Sequence, residues 1–359
     1  MNTFDALAAR GVSRRGFLKL MAATTAALGL PAAVSPKVTQ AVETALEKPP
    51  VIWLHGMECT GCSESLLATL NPSAAEVVLD MLSIRYHETI MAASGYKAEE
   101  AYLEALKENF VLVVEGAIPS KEDRYCMVGG KPFRETVLEA SKKAKAIIAV
   151  GSCATDGAGI PGACEVDAVG VRELLKQNNI STPVINLPCC PVKPATMLGT
   201  IVYYLTYGTV PPLDDQARPV VFYGKLLHDN CPRRGQFEAG NYLKDWNDPA
   251  QKDYCLILKG CKGPKTYTDC AQVWYNDNTN FCINAGSPCS GCSEAGFFKV
   301  FSPLYDKQEI FELPGTGPIN VDTAGKVIGG VAVAGVAVHL AATAATGRLG
   351  KKDHGHEEE

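Results

Sequence analysis

Between residues 51 and 187 the chain repeats one pattern: a short unbroken apolar run, then a stretch with helical spacing. The apolar runs are residues 51–55, 77–86, 110–115, 146–150 and 184–187, and helical patterns cover 98–109, 133–145 and 166–178. Runs rich in Val, Ile and Leu, with little polar alternation, indicate strands buried on both faces. That predicts a parallel sheet with helices on each side. The expected fold class is α/β, with a flavodoxin-like, doubly wound parallel sheet as its main domain. Ligands of such sheets gather beyond the carboxyl ends of the strands.

From 211 to 314 the periodicity fades, and Gly, Pro, Asn and Cys become dense. A segment of this kind buries little apolar area for its length. Bound metal can supply the missing folding free energy. A smaller, irregular C-terminal domain is expected here.

Residues 327–347 carry no Asp, Glu, Lys or Arg over 21 positions. That is enough for a helix to cross a bilayer core of roughly 30 Å. Arg348, Lys351 and Lys352 follow at once, which puts the tail in the cytoplasm and the body on the other side. Ala337, Ala341 and Ala345 form a row of small residues suited to close helix packing. A buried helix of a soluble domain is the competing reading. His339, inside the span, either hydrogen-bonds in a helix interface or faces a haem-bearing partner.

The N-terminus reads Ser13-Arg14-Arg15-Gly16-Phe17-Leu18-Lys19, followed by an uncharged stretch rich in Ala and Leu. This is a basic region before a short apolar one, with the paired arginines of the twin-arginine export address. The organisation expected is a signal peptide over 1–45, cleaved between 33 and 45, and a flavodoxin-like domain over 46–210. The C-terminal domain takes 211–314, a linker 315–326, a transmembrane helix 327–347 and a cytoplasmic tail 348–359.

Composition excludes some classes. With 47% apolar residues and a net charge of −5, the chain is not disordered. An isoelectric point near 5.8 and the lack of a basic stripe argue against nucleic acid as a partner. The 14 cysteines change the picture most. Cys59 and Cys62 follow the first strand, Cys153 the fourth, and Cys189 and Cys190 the fifth. The later segment holds His228 and Cys231, Cys255 and Cys261, then Cys270, Cys282, Cys289 and Cys292. Export in the folded state lets a cofactor be loaded in the reducing cytoplasm, which suits metal-holding thiols and argues against disulfides. Four thiolates, or three with one imidazole, hold either iron–sulfur clusters or zinc, and spacing alone leaves both open.

Several runs resemble the small subunit of nickel–iron hydrogenases. They are Glu58-Cys59-Thr60-Gly61-Cys62-Ser63-Glu64-Ser65, Val114-Glu115-Gly116-Ala117-Ile118-Pro119, Gly151-Ser152-Cys153-Ala154 and Gly199-Thr200-Ile201-Val202-Tyr203-Tyr204. Further on come His228-Asp229-Asn230-Cys231-Pro232-Arg233, Lys259-Gly260-Cys261-Lys262-Gly263-Pro264 and Gly286-Ser287-Pro288-Cys289-Ser290-Gly291-Cys292-Ser293-Glu294. The resemblance runs nearly the whole length, including the leader and the membrane tail. It implies an electron-transfer subunit with a hydrogenase large subunit, which carries the Ni-Fe centre, as partner. Electrons from H2 would leave through three iron–sulfur clusters to a membrane cytochrome b or another quinone-reactive membrane protein. The alternative is a stand-alone exported iron–sulfur carrier.

The resemblance also implies the ligands. The proximal four-iron cluster takes Cys59, Cys62, Cys153 and Cys190, and the distal four-iron cluster takes His228, Cys231, Cys255 and Cys261. The medial cluster takes Cys270, Cys289 and Cys292, and Cys282 stands where commoner members carry Pro. A fourth thiolate there implies a four-iron medial cluster, with a three-iron cluster as the alternative. Cys189 stands where many members have Gly and competes with Cys190, which holds the position before Pro191. Oxygen-tolerant members have two further proximal cysteines; Gly61 and Ala158 occupy those positions here, which implies an ordinary proximal cluster and oxygen-sensitive activity. Cys126 and Cys164 are left without a role. Glu58 is a candidate for a proton path or a capping carboxylate.

Overall fold

The computed structural model describes residues 50–70, 72–157, 166–306, 312–313, 317–318 and 321–346. The leader, Ala158, Cys164 and the tail from 347 onward lie outside the described residues. One compact unit runs to Asp306, and a second begins at Lys307.

The first unit is built on five parallel strands: β1 (Pro50–His55), β2 (Ser83–His87), β3 (Val111–Glu115), β4 (Ala146–Val150) and β5 (Val184–Leu187), in the order β2-β1-β3-β4-β5. This is the flavodoxin-like order expected, with the strand order reversing between β1 and β3. Strands β3 and β4 are buried along their whole length. Side chains alternate between the faces, so the sheet has two cores. Val51, Trp53, Val113, Ile148 and Leu187 pack with helices α1 (Gly61–Leu67) and α6 (Pro194–Tyr207). Ile52, Leu54, Leu112, Ile147 and Ala149 pack against α2 (Tyr96–Ala105), α3 (Phe133–Lys143) and α5 (Val171–Gln177). A further short helix, α4 (Gly151–Asp156), leaves β4 directly.

One expected strand is shorter than its apolar run. Residues 77–86 do not form one strand: Glu76–Met81 is a π-helical turn, and β2 begins only at Ser83. The reason is local capping. The Ser73 N–H and hydroxyl donate to Glu76 Oε2 at 2.8 and 2.9 Å, and Glu76 N–H donates to Ser73 Oγ at 3.3 Å. This reciprocal pair starts a helical turn and overrides the β preference of the valines.

From residue 211 to 306 the backbone is mostly turns and helical segments of three to five residues. Its core is small: Leu227, Leu243, Leu256, Phe281 and Ile283, together with Cys270 and Cys289. Cysteines as core members are what a metal-dependent segment should show.

In the second unit, helix α7 (Val321–Ala345) has 25 residues, about 37 Å at the usual rise. Its stretch Ile328–Ala345 is long and apolar enough to cross a membrane, and its side chains are exposed.

Candidate functional site

The sheet brings the first cysteines together by register. His55 pairs with Glu115, Glu115 with Val150, and Val150 with Leu187. Four strands therefore end in one row, and three of the loops leaving that row carry thiols. Cys59 and Cys62 follow β1, Cys153 follows β4, and Cys190 follows β5. Mutual repulsion among Cys62, Cys153 and Cys190, and repulsion of Cys153 and Cys190 by Cys59, adds to burial in raising the pKa values of Cys62, Cys153 and Cys190, so these four thiols are neighbours. Burial pushes Cys153 up to about 12 and Cys62 well above its ordinary value. Cys59 and Cys190 lie on the exposed side of the group.

Glu115 anchors this loop. Its buried carboxylate accepts from the Cys62 N–H at 2.9 Å, the Ser63 N–H at 3.3 Å, the Ser63 hydroxyl at 2.6 Å and the Trp53 indole at 3.2 Å. An anion at a helix start satisfies N–H groups that the helix itself cannot. His87 extends the network, with Nε2 3.2 Å from Ser63 Oγ. Nearby, Glu58 lies 3.3 Å from His55 Nδ1 and accepts from the Thr60 hydroxyl at 3.2 Å. Burial raises the Glu58 carboxyl. Gly151 is needed for contact: at φ +88, a Cβ there would stand 2.8 Å from the Cys62 sulfur.

Cys189 and Cys190 diverge. Cys190 lies near Cys59 and Cys153, whereas Cys189 is buried on the side of Cys270 and Cys292. Interaction with Cys189 lowers the Cys270 thiol to about 7 and lowers that of Cys292, while Cys189 itself is pushed up. Cys282 and Cys289 are close enough to Cys270 and Cys292 for repulsion to raise their pKa values, with burial the larger cause. Cys289 is buried and Cys282 is exposed. The Thr268 hydroxyl lies 3.1 Å from the Cys270 sulfur. A buried ion pair of Lys193 with Asp269 ties the loop after Cys190 to the residue before Cys270.

The third group surrounds one cavity, lined by His228, Cys231, Cys255 and Cys261 with Leu227 and Ile283. His228 packs edge-on against Phe237, with ring centroids 4.6 Å apart. Its Nε2 is buried and has no hydrogen-bond partner. Burial lowers the imidazole pKa, with Arg234 adding to the effect, so the ring is neutral at pH 7. The Lys262 N–H donates to the Cys289 carbonyl at 2.8 Å and so joins this group to the middle one.

The family model for the C-terminal part of the NiFe/NiFeSe hydrogenase small subunit matches residues 223–305, and one described as NADH ubiquinone oxidoreductase, 20 Kd subunit, matches 59–204. The uptake hydrogenase small subunit of Azotobacter vinelandii is 42% identical over 95% of this chain and 95% of its own. The periplasmic [NiFe] hydrogenase small subunit of Solidesulfovibrio fructosivorans is 43% identical over 84% of this chain and 95% of its own. The chain belongs to the nickel–iron hydrogenase small subunits. Among solved structures, the Ni-Fe-Se hydrogenase from Desulfomicrobium baculatum matches with a TM-score of 0.68 and 35% identity, covering 73% of this chain and 100% of that one. The chain is thus the electron-transfer subunit of a hydrogenase and works with a catalytic large subunit.

Small subunits of this family carry iron–sulfur clusters, and the residues here fit such groups. The orphaned Nε2 of a neutral imidazole and three thiols surround one cavity. The raised thiol pKa values mean that loading the metal releases protons.

Sequence reasoning missed Glu115 as an anchor. Its signal was a carboxylate ending an otherwise apolar strand. Cys126 stands apart from the three groups and packs beside the second sheet core, with its thiol raised to about 11 by burial.

Proposed function

We propose that this chain carries electrons from H2 oxidation in its partner to a quinone-linked acceptor in the membrane, through three iron–sulfur clusters. The cavity ringed by His228, Cys231, Cys255 and Cys261 carries this reading most directly. Those four residues hold a distal four-iron cluster. Cys59, Cys62, Cys153 and Cys190 hold the proximal one, and Cys270, Cys282, Cys289 and Cys292 a medial four-iron cluster. When bound, the clusters supply one-electron storage sites in series. In this reading the proximal group, with Cys59 and Cys190 exposed, faces the large subunit.

The protein scaffold has its own work here. Glu115 orients the Cys62 loop, and the neutral His228 offers Nε2 without adding charge. Replacing a thiolate by imidazole reduces the negative charge at the outer group, and net charge is one determinant of potential. Gly61 offers no extra proximal thiol, and a side chain there would crowd the Cys59 sulfur at 3.1 Å. That supports an ordinary proximal cluster and oxygen-sensitive activity.

The protein acts on the periplasmic side of the cytoplasmic membrane. The Arg14-Arg15 leader, the apolar helix α7 and the basic residues after it support this placement. A membrane cytochrome b, or another quinone-reactive membrane protein, takes the electrons. Purification from membranes tests the whole reading. The chain should emerge with a nickel-containing partner and with iron and acid-labile sulfide for three clusters. Recovery alone, or with zinc in place of iron, would overturn it.

A further inference from the structure

Lys193 lies three residues after Cys190 and is 1% exposed. Its Nζ donates to the Asp269 carboxylate and, at 3.0 Å, to the Val273 carbonyl. Its own carbonyl accepts from the Thr196 and Met197 N–H groups at 3.1 and 3.2 Å, so the start of α6 holds its backbone. The two residues before it are tied as well. The Ser65 hydroxyl donates to the Val192 carbonyl at 2.6 Å, and Ser65 lies on α1, the helix that carries Cys62. The Tyr275 hydroxyl donates to the Pro191 carbonyl at 2.9 Å. Three consecutive residues, 191–193, thus hold α1 on one side and the turn 269–275, which contains Cys270, on the other.

A buried ion pair is a poor way to add stability. The loss of hydration largely cancels the attraction, and apolar side chains of similar size often stabilise as well or better. What such a pair supplies is register, because a lysine is almost never fully buried without a partner. We propose that Lys193 is a positioning residue for electron transfer: with Pro191 and Val192 it forms a strut that fixes the gap between the proximal and medial clusters. This rests on the reading of Cys62 and Cys190 as proximal ligands and of Cys270 as a medial one. Transfer between two clusters slows steeply as the gap widens, and a ligand is held only as well as the groups behind it. Cys62 stands on a helix packed against the sheet, whereas Cys270 comes from an irregular segment with a small core. The bonds of the strut supply the fixing that packing in that segment does not.

The test is electron paramagnetic resonance of the fully reduced, intact complex purified with its large subunit. The magnetic interaction between the two clusters weakens steeply with their separation and so reads the gap. Wild type is compared with Lys193→Met and with Lys193→Met/Asp269→Asn, which leaves no charge buried alone. Tyr275→Phe removes one hydroxyl from the strut. The single Lys193 variant should release iron to a chelator on the order of tenfold faster. The double variant should keep its iron and its thermal midpoint, yet show a weakened or smeared interaction. Tyr275→Phe should move the interaction the same way by less, and it carries the test if the Lys193 variants fail to assemble. A double variant with full iron and the wild-type interaction would overturn the proposal, whatever its thermal midpoint, because the pair would then be structural only. An unmoved interaction in Tyr275→Phe, where the Lys193 variants do not assemble, would do the same. Wild type without two interacting clusters would instead overturn the underlying reading, so the two failures are distinguishable.

Discussion

Ser152 donates its hydroxyl hydrogen bond to the Cys292 carbonyl at 2.6 Å, across 140 positions of the chain. The same oxygen accepts from the Cys189 N–H at 3.2 Å. One small side chain thus joins the turn carrying Cys153, the loop after β5 and the loop bearing the last cysteine. Replacing it by alanine leaves two buried backbone groups without that partner, a loss of about 1–3 kcal/mol. Ser152→Ala should lower the thermal midpoint of the assembled complex and speed iron loss to a chelator. An unchanged midpoint would show that the link is dispensable.

Glu115→Ala should be more damaging. It strips acceptors from the Cys62 and Ser63 N–H groups and from the Trp53 indole. A hydrogen bond to a charged group contributes about 1.5–3 kcal/mol. The expected result is poor recovery of folded protein, or protein lacking the iron of one cluster. Glu115→Gln keeps one acceptor oxygen and should be milder. Iron and sulfide counts per heterodimer would decide.

Cys282→Pro tests the medial cluster type. With three thiolates left, oxidised protein should show a three-iron resonance that wild type lacks, and the medial potential should rise. A stoichiometric three-iron signal in wild type would refute the four-iron assignment.

The buried His87 makes stability depend on pH. Burial, with His55 adding repulsion, lowers its pKa to about 3 from the ordinary 6.5. As pH falls below about 6.5 the unfolded chain takes up a proton that the folded chain refuses. The stability present above that pH is therefore lost progressively down to about pH 3, by up to ~1.4 kcal/mol per pH unit. His87→Gln should flatten the fall of thermal midpoint between pH 6.5 and 5. Parallel curves for the two proteins would count against this.

The chain ends give a pair of expectations. If one leader serves the complex, as proposed, replacing Arg14 and Arg15 by Lys should leave both subunits and their hydrogen-oxidising activity in the cytoplasm. Truncation before Lys326 should release a soluble complex that reduces an artificial dye but not membrane quinone. Periplasmic activity in the first variant, or full quinone reduction in the second, would contradict the assigned roles.

Unbroken apolar runs were enough to read the parallel sheet, because strands buried on both faces admit no polar alternation. Thiols placed just past strand ends were enough to predict that they would gather at one edge of the sheet, where the strand register puts them. The π-helical turn at Glu76–Met81 was written in Ser73 and Glu76, but the valines that follow hid it. Cys189 and Cys190 could not be told apart by position alone. Adjacent side chains leave the backbone in different directions, and only the Ser152 clamp decides where each points. Glu115 was invisible as an anchor for the same reason: its donors come from residues more than 50 positions away and from β1. Local patterning determined which elements form and which residues carry chemistry. The register of β1, β3, β4 and β5 and a few long-range hydrogen bonds decided which cysteines share a group, since that depends on contacts between segments far apart in the chain.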